Sequence, residues 1–194
     1  MGVTIDSGWA LRPFKGLQSC GDMAFVGAGQ GLQLFVIVDA LGHGPDAQVS
    51  ALRAKELIKQ KVEAPLQELF TACDKCLYGL RGAVMSAVRR VGELASYAGV
   101  GNVEIYGPPG VTRPPPIAGT LGKGVTHFRE FPIVLVPGQR WVLASDGLRT
   151  RDMAKSLAAV AQAAPSDAAT RLLELAGRDD DDVSVIVMDV REAP

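Results

Sequence analysis

An apolar segment that ends on a carboxylate constrains this chain more than any other feature. Leu34–Val38 reads Leu-Phe-Val-Ile-Val, a run typical of a buried β-strand, and Asp39 follows it directly. A buried carboxylate without a partner is costly, so the sequence predicts that something binds at the end of this strand. The next residues are Ala-Leu-Gly-His-Gly-Pro. Their glycines suit a turn, and Pro45 suits the first position of a helix.

Composition excludes several classes of protein. The 194 residues are 47% hydrophobic and 21% charged, with a formal net charge of −1, which is ordinary for one globular domain. We therefore expect a single domain over residues 1–194. The balanced charge indicates no nucleic-acid or anionic-membrane partner, and we expect neither a membrane span nor a signal peptide. Three cysteines are too few for a disulfide framework and favour a reducing, cytoplasmic setting.

Two patterns suggest other chemistry but have simpler interpretations. Cys73 and Cys76 form a CxxC pair, which raises zinc or redox chemistry. They recur with leucines at helical spacing, however, so buried small hydrophobes are the favoured interpretation. Gly27–Gly31 superficially resembles a dinucleotide-binding loop, but such a loop leads from a strand into a helix. Here it joins two predicted strands, which favours a hairpin.

The periodicity predicts pairs of strands and pairs of helices rather than regular βαβ alternation. The predicted strands are Met23–Ala28, Leu32–Val38, Glu93–Gly99, Val103–Tyr106, His127–Phe131, Arg140–Ala144 and Val183–Val190. Helices are predicted from Pro45 to about residue 61, from about Pro65 towards Arg90 with a break at Gly79 or Gly82 as an alternative, over Asp152–Ala163 and over Ser166–Ala176. Gly101-Asn102 and Pro137-Gly138 are predicted as turns between strands. This order indicates antiparallel sheets covered by helices, an α/β sandwich.

Carboxylates lie at the ends of three further predicted strands. Asp22 precedes one, Asp146 follows another, and Asp179–Asp182 precedes the last. Singly, each could be a turn residue, a cap or part of a solvated loop. Together they would repel one another unless cations or protons intervene, and Mg²⁺ and Mn²⁺ favour oxygen ligands. Two such ions, about 3.5–4 Å apart, can supply a nucleophilic hydroxide and hold a phosphoryl oxygen.

In this order, the motifs resemble the PP2C-type metal-dependent protein phosphatases, and within them the bacterial branch that includes SpoIIE, RsbU and RsbX. The matching elements are Gly21-Asp22, Asp39–Gly44 (DALGHG), Ser145–Leu148 (SDGL) and Asp181–Val187 (DDVSVIV). Gly99–Val103 (GVGNV) is similar to the RsbX group. The resemblance spans nearly the whole chain. It implies an αββα sandwich, in which two antiparallel sheets pack face to face between helix pairs.

The resemblance also implies roles for five residues. Asp39 would bridge two divalent ions, with Mn²⁺ favoured and Mg²⁺ as the alternative. The backbone carbonyl of Ala40 would complete the shell of one ion, and Asp146 and Asp181 would ligate the other. Asp22 would act directly or through a bound water. Asp39, Asp146 and Asp181 are thus the implied catalytic residues.

The sequence departs from the family pattern at three places. Ala40 stands where glycine is usual, and Ser184 replaces the usual threonine. The phosphate-binding arginine of larger relatives has no clear counterpart; Arg12 and Lys15 are candidates, although surface roles are favoured for both. His43 could ligate a metal or donate a proton to the leaving oxygen. The favoured interpretation is that its imidazole orders the loop through hydrogen bonds.

Hydrolysis of phosphoserine or phosphothreonine on a protein is the function that the resemblance implies. The RsbX likeness, and the lack of an attached sensor or coiled-coil segment, favour stressosome proteins of the RsbR and RsbS type as substrates. One alternative is a phosphatase-like module that binds a phosphoprotein with little activity. The others are a hydrolase of small phosphorylated molecules and an RsbU- or SpoIIE-like phosphatase that acts on an anti-sigma-factor antagonist.

Overall fold

The computed structural model describes residues 2–149, 151 and 153–193. In that part of the chain, the strands are β1 (Val3–Arg12), β2 (Asp22–Gly29), β3 (Leu32–Ala40), β4 (Ala83–Val91), β5 (Leu94–Val100), β6 (Glu104–Tyr106), β7 (Glu130–Ile133), β8 (Arg140–Ala144) and β9 (Val183–Glu192). The helices are α1 (Pro45–Gln60), α2 (Leu66–Cys76), α3 (Met153–Ala159) and α4 (Pro165–Ala176). None of these four helices has the length and apolar character that a membrane crossing requires.

Two antiparallel sheets form the centre of the molecule. One has the strand order β1-β9-β8-β6 and the other β2-β3-β4-β5-β7. One apolar cluster lies between the sheets, a second joins the five-stranded sheet to α1 and α2, and a third joins the four-stranded sheet to α3 and α4. The layers therefore run helix, sheet, sheet, helix, which confirms the predicted αββα sandwich.

The unbroken apolar run of β3 follows from this layering. Leu34, Val36 and Val38 belong to the cluster beneath α1 and α2. Phe35 and Ile37 point to the opposite face and pack between the sheets. Because successive side chains of a strand point to opposite faces, a strand covered on both sides must be apolar throughout.

The predicted helix from Pro65 towards Arg90 was wrong in its second half. The helix ends at Cys76, and Ala83–Val91 forms β4, which pairs with β3 and β5. Gly79 and Gly82 have φ angles of 81° and 86°. Such left-handed backbone suits glycine and ends a helix. The chain can then enter the sheet, where β4 is buried on both faces.

Two predicted turns connect strands that belong to different sheets, rather than neighbouring strands of one sheet. Gly101-Asn102 connects β5 of the five-stranded sheet to β6 of the four-stranded sheet. Pro137-Gly138 lies between β7 and β8, which also belong to different sheets. Strand β1 was not predicted, and the predicted helix start at Asp152 lies outside the described residues. Local turn signals specify a change of direction, whereas the packing of the two sheets decides which strand is met next.

The Gln33 side chain forms hydrogen bonds with backbone groups on the free edge of β1. The Gln33 side chain accepts a hydrogen bond from the Ile5 N–H (2.9 Å) and donates one to the Ile5 carbonyl (2.7 Å). The Arg90 Nε donates to the same Gln33 oxygen (2.9 Å). Strand β3 thereby satisfies backbone groups that an edge strand would otherwise leave unpaired.

Gln33→Ala should therefore lower the free energy of unfolding by about 1–3 kcal/mol, because the half-buried backbone groups of Ile5 lose their partners. The midpoint of urea unfolding measures this change. Gln60→Ala, at the exposed end of α1, is the matched control and should leave the midpoint unchanged. Equal midpoints for the two variants would contradict the prediction.

Candidate metal centre

Two of the predicted site aspartates face each other across neighbouring strands. Asp22 begins β2, Asp39 lies next to the end of β3, and the antiparallel pairing sets the two residues directly opposite. The pairing register is specified by the apolar faces of both strands, since a slip of one residue would expose them. The sheet therefore holds these carboxylates side by side at one end of the β2–β3 pair.

The other two aspartates come from the four-stranded sheet. Asp146 follows β8, and Asp181 precedes β9, the neighbouring strand. The strand ends are joined beyond the ladder, because the Ser145 N–H donates to the Ser184 carbonyl (3.1 Å) and the Ser184 N–H donates to the Ser145 hydroxyl (2.9 Å). Asp146 and Asp181 thus lie at the same end of this sheet.

Asp182 joins the two sheet ends. Its side chain is buried and accepts hydrogen bonds from the N–H of Gly21 (2.8 Å) and the N–H of Phe14 (2.7 Å). Both donors belong to the loop between β1 and β2, and Gly21 directly precedes Asp22. Within the acidic tetrad, Asp182 therefore anchors the loop, and the adjacent Asp181 is half-exposed.

Two motif glycines are required by close packing. A Cβ on Gly21 would lie 2.8 Å from the Ala47 Cβ and 3.0 Å from an Asp182 carboxylate oxygen. A Cβ on Gly147 would overlap the Asp182 carbonyl oxygen. The glycines beside Asp22 and Asp146 therefore let the two sheet ends approach each other.

Gly147→Ala should accordingly destabilise the protein by about 1–3 kcal/mol, the usual range for overpacking, and weaken divalent-ion binding by moving Asp146. Thermal unfolding with and without Mg²⁺ measures both effects. Gly110→Ala is not a suitable control, because Gly110 has a positive φ of 82°. Gly29→Ala is suitable, since a Cβ there meets nothing within 4 Å. Wild-type stability and ion response in Gly147→Ala would refute the packing argument.

Among the four candidate aspartates, Asp22 is the most deeply buried. It is 4% exposed, and neither of its oxygens accepts a hydrogen bond from any described residue. Burial is the main cause that raises its pKa to about 7, and the charges of Asp182 and Asp146 contribute to the same rise. The hydroxyls of Ser145 and Ser184 are near enough to oppose the rise in pKa, but neither reaches hydrogen-bond geometry. Such a group needs a proton or a cation.

The pKa of Asp39 is raised more than that of Asp22. Burial, followed by the charges of Asp22, Asp146 and Asp181, raises the pKa of Asp39 to about 10. Burial and then the charge of Asp146 also raise the pKa of Asp181. Asp146 therefore acts on each of the other three carboxylates, which shows that the four residues from two sheets form one acidic cluster.

The donor set of this cluster fits hard divalent cations. Carboxylate oxygens are the ligands that Mg²⁺ and Mn²⁺ prefer, and Asp22 has two buried oxygens without partners. As the side chains stand, no three His, Cys, Asp or Glu residues of the described ranges are gathered closely enough to hold an ion. Ion binding would therefore draw the carboxylates inward and remove their mutual repulsion.

Ala40 accommodates its departure from the glycine of the family pattern. It is buried and pairs with Ala83 of β4, and its N–H donates to the Gly21 carbonyl (3.0 Å). Positive φ angles are confined to glycines among the described residues, so Ala40 carries no left-handed strain. The alanine side chain thus costs the backbone nothing at this position.

His43 orders its loop in a different way from the one predicted. It is exposed, and its ring lies against Phe14 with the ring centroids 4.6 Å apart. Its imidazole forms no hydrogen bond with any residue that the structure describes. Aromatic stacking, rather than hydrogen bonding, therefore joins the loop after β3 to the loop after β1.

The two candidate phosphate-binding cations lie beside Asp179. The Arg12 guanidinium is 3.6 Å from the Asp179 carboxylate and donates to the Arg178 carbonyl (2.7 Å). The Lys15 Nζ is 3.2 Å from the same carboxylate. Both pairs are largely exposed, and such pairs contribute little to stability. The interactions fit the surface roles favoured from the sequence.

The CxxC pair lies in α2 and away from the acidic cluster. Cys73 is fully buried beneath α1 and α2, and Cys76 is partly buried. Burial raises the pKa of both thiols, which disfavours the reactive thiolate. The helical and apolar interpretation of these cysteines is confirmed.

Sequence reasoning missed one residue at the site. Asn102 donates a 2.6 Å hydrogen bond from its side-chain amide to the Asp146 Oδ2. The only signals were its predicted place in a turn and in the GVGNV segment, neither of which was given a role at the site. The contact spans 44 positions of the chain, so it exists only because the β5–β6 turn crosses between the sheets.

No family model matches the sequence, and no curated protein matches it either. Solved structures do match. One match comes from a structure that describes the bacterial stressosome as a modular system adapted to control secondary messenger signalling. Its chain is 29% identical to the present chain, with a TM-score of 0.86. The similarity covers 95% of this chain and 99% of that chain.

Two more distant structures match over nearly the whole chain. RsbX in complex with magnesium is 22% identical with a TM-score of 0.83, over 98% of this chain and 100% of that chain. A structure of the PP2C phosphatase domain and part of the regulatory domain of SpoIIE from Bacillus subtilis is 16% identical with a TM-score of 0.83. That similarity covers 100% of this chain and 65% of that chain. These structures share one fold with the present chain.

Proposed function

We propose that this chain, which has the fold of the PP2C-type phosphatases, is a metal-dependent protein serine/threonine phosphatase of the branch that includes RsbX, RsbU and SpoIIE. One observation carries the proposal. Asp22 is buried without a hydrogen-bond partner and lies directly opposite Asp39, at the place where both sheets contribute carboxylates. A cluster built only to stabilise the fold would satisfy these oxygens with hydrogen bonds.

Five residues would hold two divalent ions, Mn²⁺ or Mg²⁺. Asp39 would be shared between the ions, with the Ala40 carbonyl beside it, and Asp146 and Asp181 would approach from the other sheet. Asp22 would complete the set directly or through water. Bound ions would activate a water for attack on phosphorus and neutralise the charge of the phosphoryl group. The catalytic residues would be Asp39, Asp146 and Asp181.

The protein scaffold contributes rigid placement. The β2–β3 ladder holds Asp22 and Asp39 in register, and the buried Asp182 fixes the backbone next to Asp22. Preorganised groups stabilise a transition state without reorganising during the reaction, which accounts for much of enzymatic rate enhancement. No covalent intermediate on the protein is required.

Phosphorylated stressosome proteins of the RsbR and RsbS type are the substrates that we propose. The similarity to a chain from a stressosome structure and to RsbX supports this class. The three free cysteines support a reducing, cytoplasmic location. We also propose that residues 1–194 form one phosphatase domain.

Dephosphorylation assays test the function. Purified phosphorylated RsbR- and RsbS-type proteins, a phosphorylated anti-sigma-factor antagonist and a small phosphorylated metabolite are each incubated with Mn²⁺, with Mg²⁺ and with a chelator. We expect ion-dependent phosphate release, fastest from the stressosome proteins. Faster turnover of the antagonist would favour an RsbU- or SpoIIE-like role, and faster turnover of the metabolite a small-molecule hydrolase. Tight binding without release in any ion would identify a recognition module.

A further inference from the structure

We propose that Asn102 is a positioning residue of the metal centre, which holds Asp146 by one carboxylate oxygen and leaves the other oxygen for a divalent ion. The inference rests on the proposed function and assigns a role within the same site. Its basis is the 2.6 Å hydrogen bond from the Asn102 amide to the Asp146 Oδ2. Residues that orient metal ligands through such bonds tune ion affinity without touching the ion.

The turn that carries Asn102 is held on both sides. The preceding residue, Gly101, donates its N–H to the Ile117 carbonyl (2.8 Å). The following residue, Val103, is fully buried, and its carbonyl accepts a hydrogen bond from the Ser86 hydroxyl (2.6 Å). The amide of Asn102 is therefore presented from a fixed backbone, as a positioning role requires.

The chemistry of the amide suits this place. A carboxylate has two oxygens, and an N–H donor on one of them fixes the plane of the group while the other stays available. Asparagine also adds no charge to a site where Asp22, Asp39 and Asp181 already lie close to Asp146. An ionised carboxylate at position 102 would lack both properties, and a hydrophobic side chain would lack the donor.

One experiment observes the bond directly, because Asn102 is the only asparagine in the sequence. Protein labelled with ¹⁵N-asparagine has a single asparagine side-chain NH₂ group, which gives one pair of proton signals in a heteronuclear NMR spectrum. We expect the two proton shifts to be well separated, since one proton is bonded to a carboxylate. The separation should persist when the diamagnetic ion Mg²⁺ saturates the site, and it should collapse in Asp146→Ala.

A second experiment measures ion affinity by calorimetric titration with Mn²⁺ and Mg²⁺. Asn102→Ala should weaken ion binding by about 10- to 100-fold, the usual effect of removing a partner of a metal ligand. Gln33→Ala is the matched control, because it removes an amide with a purely structural role. That variant should lower the unfolding midpoint and leave ion affinity unchanged.

The outcomes separate this inference from the proposed function. Failure of the wild-type protein to bind either ion would overturn both. Wild-type binding with equal affinity in Asn102→Ala would overturn only the role of Asn102. Loss of the separated NH₂ signals when Mg²⁺ binds would also overturn that role, because the amide would then leave Asp146 as the ion arrives.

Discussion

Asp39→Asn should lower kcat/KM on a phosphoprotein by more than about 100-fold. Removing a partner of a metal ligand typically costs 10- to 100-fold, and a shared ligand should cost more. The fold should survive, because the Asp39 side chain makes no hydrogen bond that joins neighbouring elements among the described residues, and its backbone pairing in β3 is unchanged by the substitution. The ion-free variant should even be more stable than the ion-free wild type, since it lacks a carboxylate whose ionised form is disfavoured by burial and by the charges of Asp22, Asp146 and Asp181.

Three measurements on the same preparation check this result: turnover with saturating Mn²⁺, ion affinity by calorimetry, and the thermal midpoint in a chelator. Asp167→Asn, in the first turn of α4, is the matched control because it removes an exposed carboxylate outside the cluster. It should retain wild-type turnover. Near-normal turnover of Asp39→Asn would exclude Asp39 as a shared ion ligand.

Without divalent ions, the protein should lose stability as the pH rises from about 4 towards 10. The pKa of Asp22 is raised to about 7 and that of Asp39 to about 10, whereas both lie near 3.8 when unfolded. Between these values the folded state binds more protons than the unfolded state, so the free energy of unfolding falls with pH. Each group contributes a slope of up to about 1.4 kcal/mol per pH unit within its window.

Thermal midpoints at pH 5 and pH 8 measure this slope, first in a chelator and then in Mg²⁺. We expect the chelated protein to melt several degrees lower at pH 8 than at pH 5. Mg²⁺ at 100 times its dissociation constant should restore about 2.7 kcal/mol at pH 8. Asp22→Asn should reduce the slope between pH 5 and pH 7 by about half, because Asp39 still contributes there. A midpoint that rises with pH in the chelated wild type would contradict the raised pKa values.

Both predictions depend on residues whose significance was visible before the structure. Asp39 lies near the end of an apolar strand that is now seen to be covered on both faces, and it lies directly opposite Asp22. Strand β8 lies at its predicted bounds, and α1, α4 and β9 lie within two residues of theirs. Apolar periodicity reports burial of each segment directly, which is why these elements were predictable.

Other features depended on contacts between distant parts of the chain. The residues of β4 were assigned to a helix because their apolar content alone does not distinguish a buried helix from a buried strand. The turn at Gly101-Asn102 has the sequence of a hairpin, yet it crosses between sheets. Asp181 and Asp182 are adjacent and identical in type, but only the packed loop shows that Asp182 anchors the backbone of Gly21.

The sequence by itself thus determined the layered fold class and singled out the candidate aspartates, since both depend on local patterns of apolar and acidic residues. Only the tertiary structure decided that Asp22 is left without a hydrogen-bond partner, that His43 stacks on Phe14, and that Asn102 contacts Asp146. These facts depend on how two sheet ends meet. The relative position of the two sheet ends is determined by side-chain packing throughout the core, and no short segment of the sequence encodes that packing.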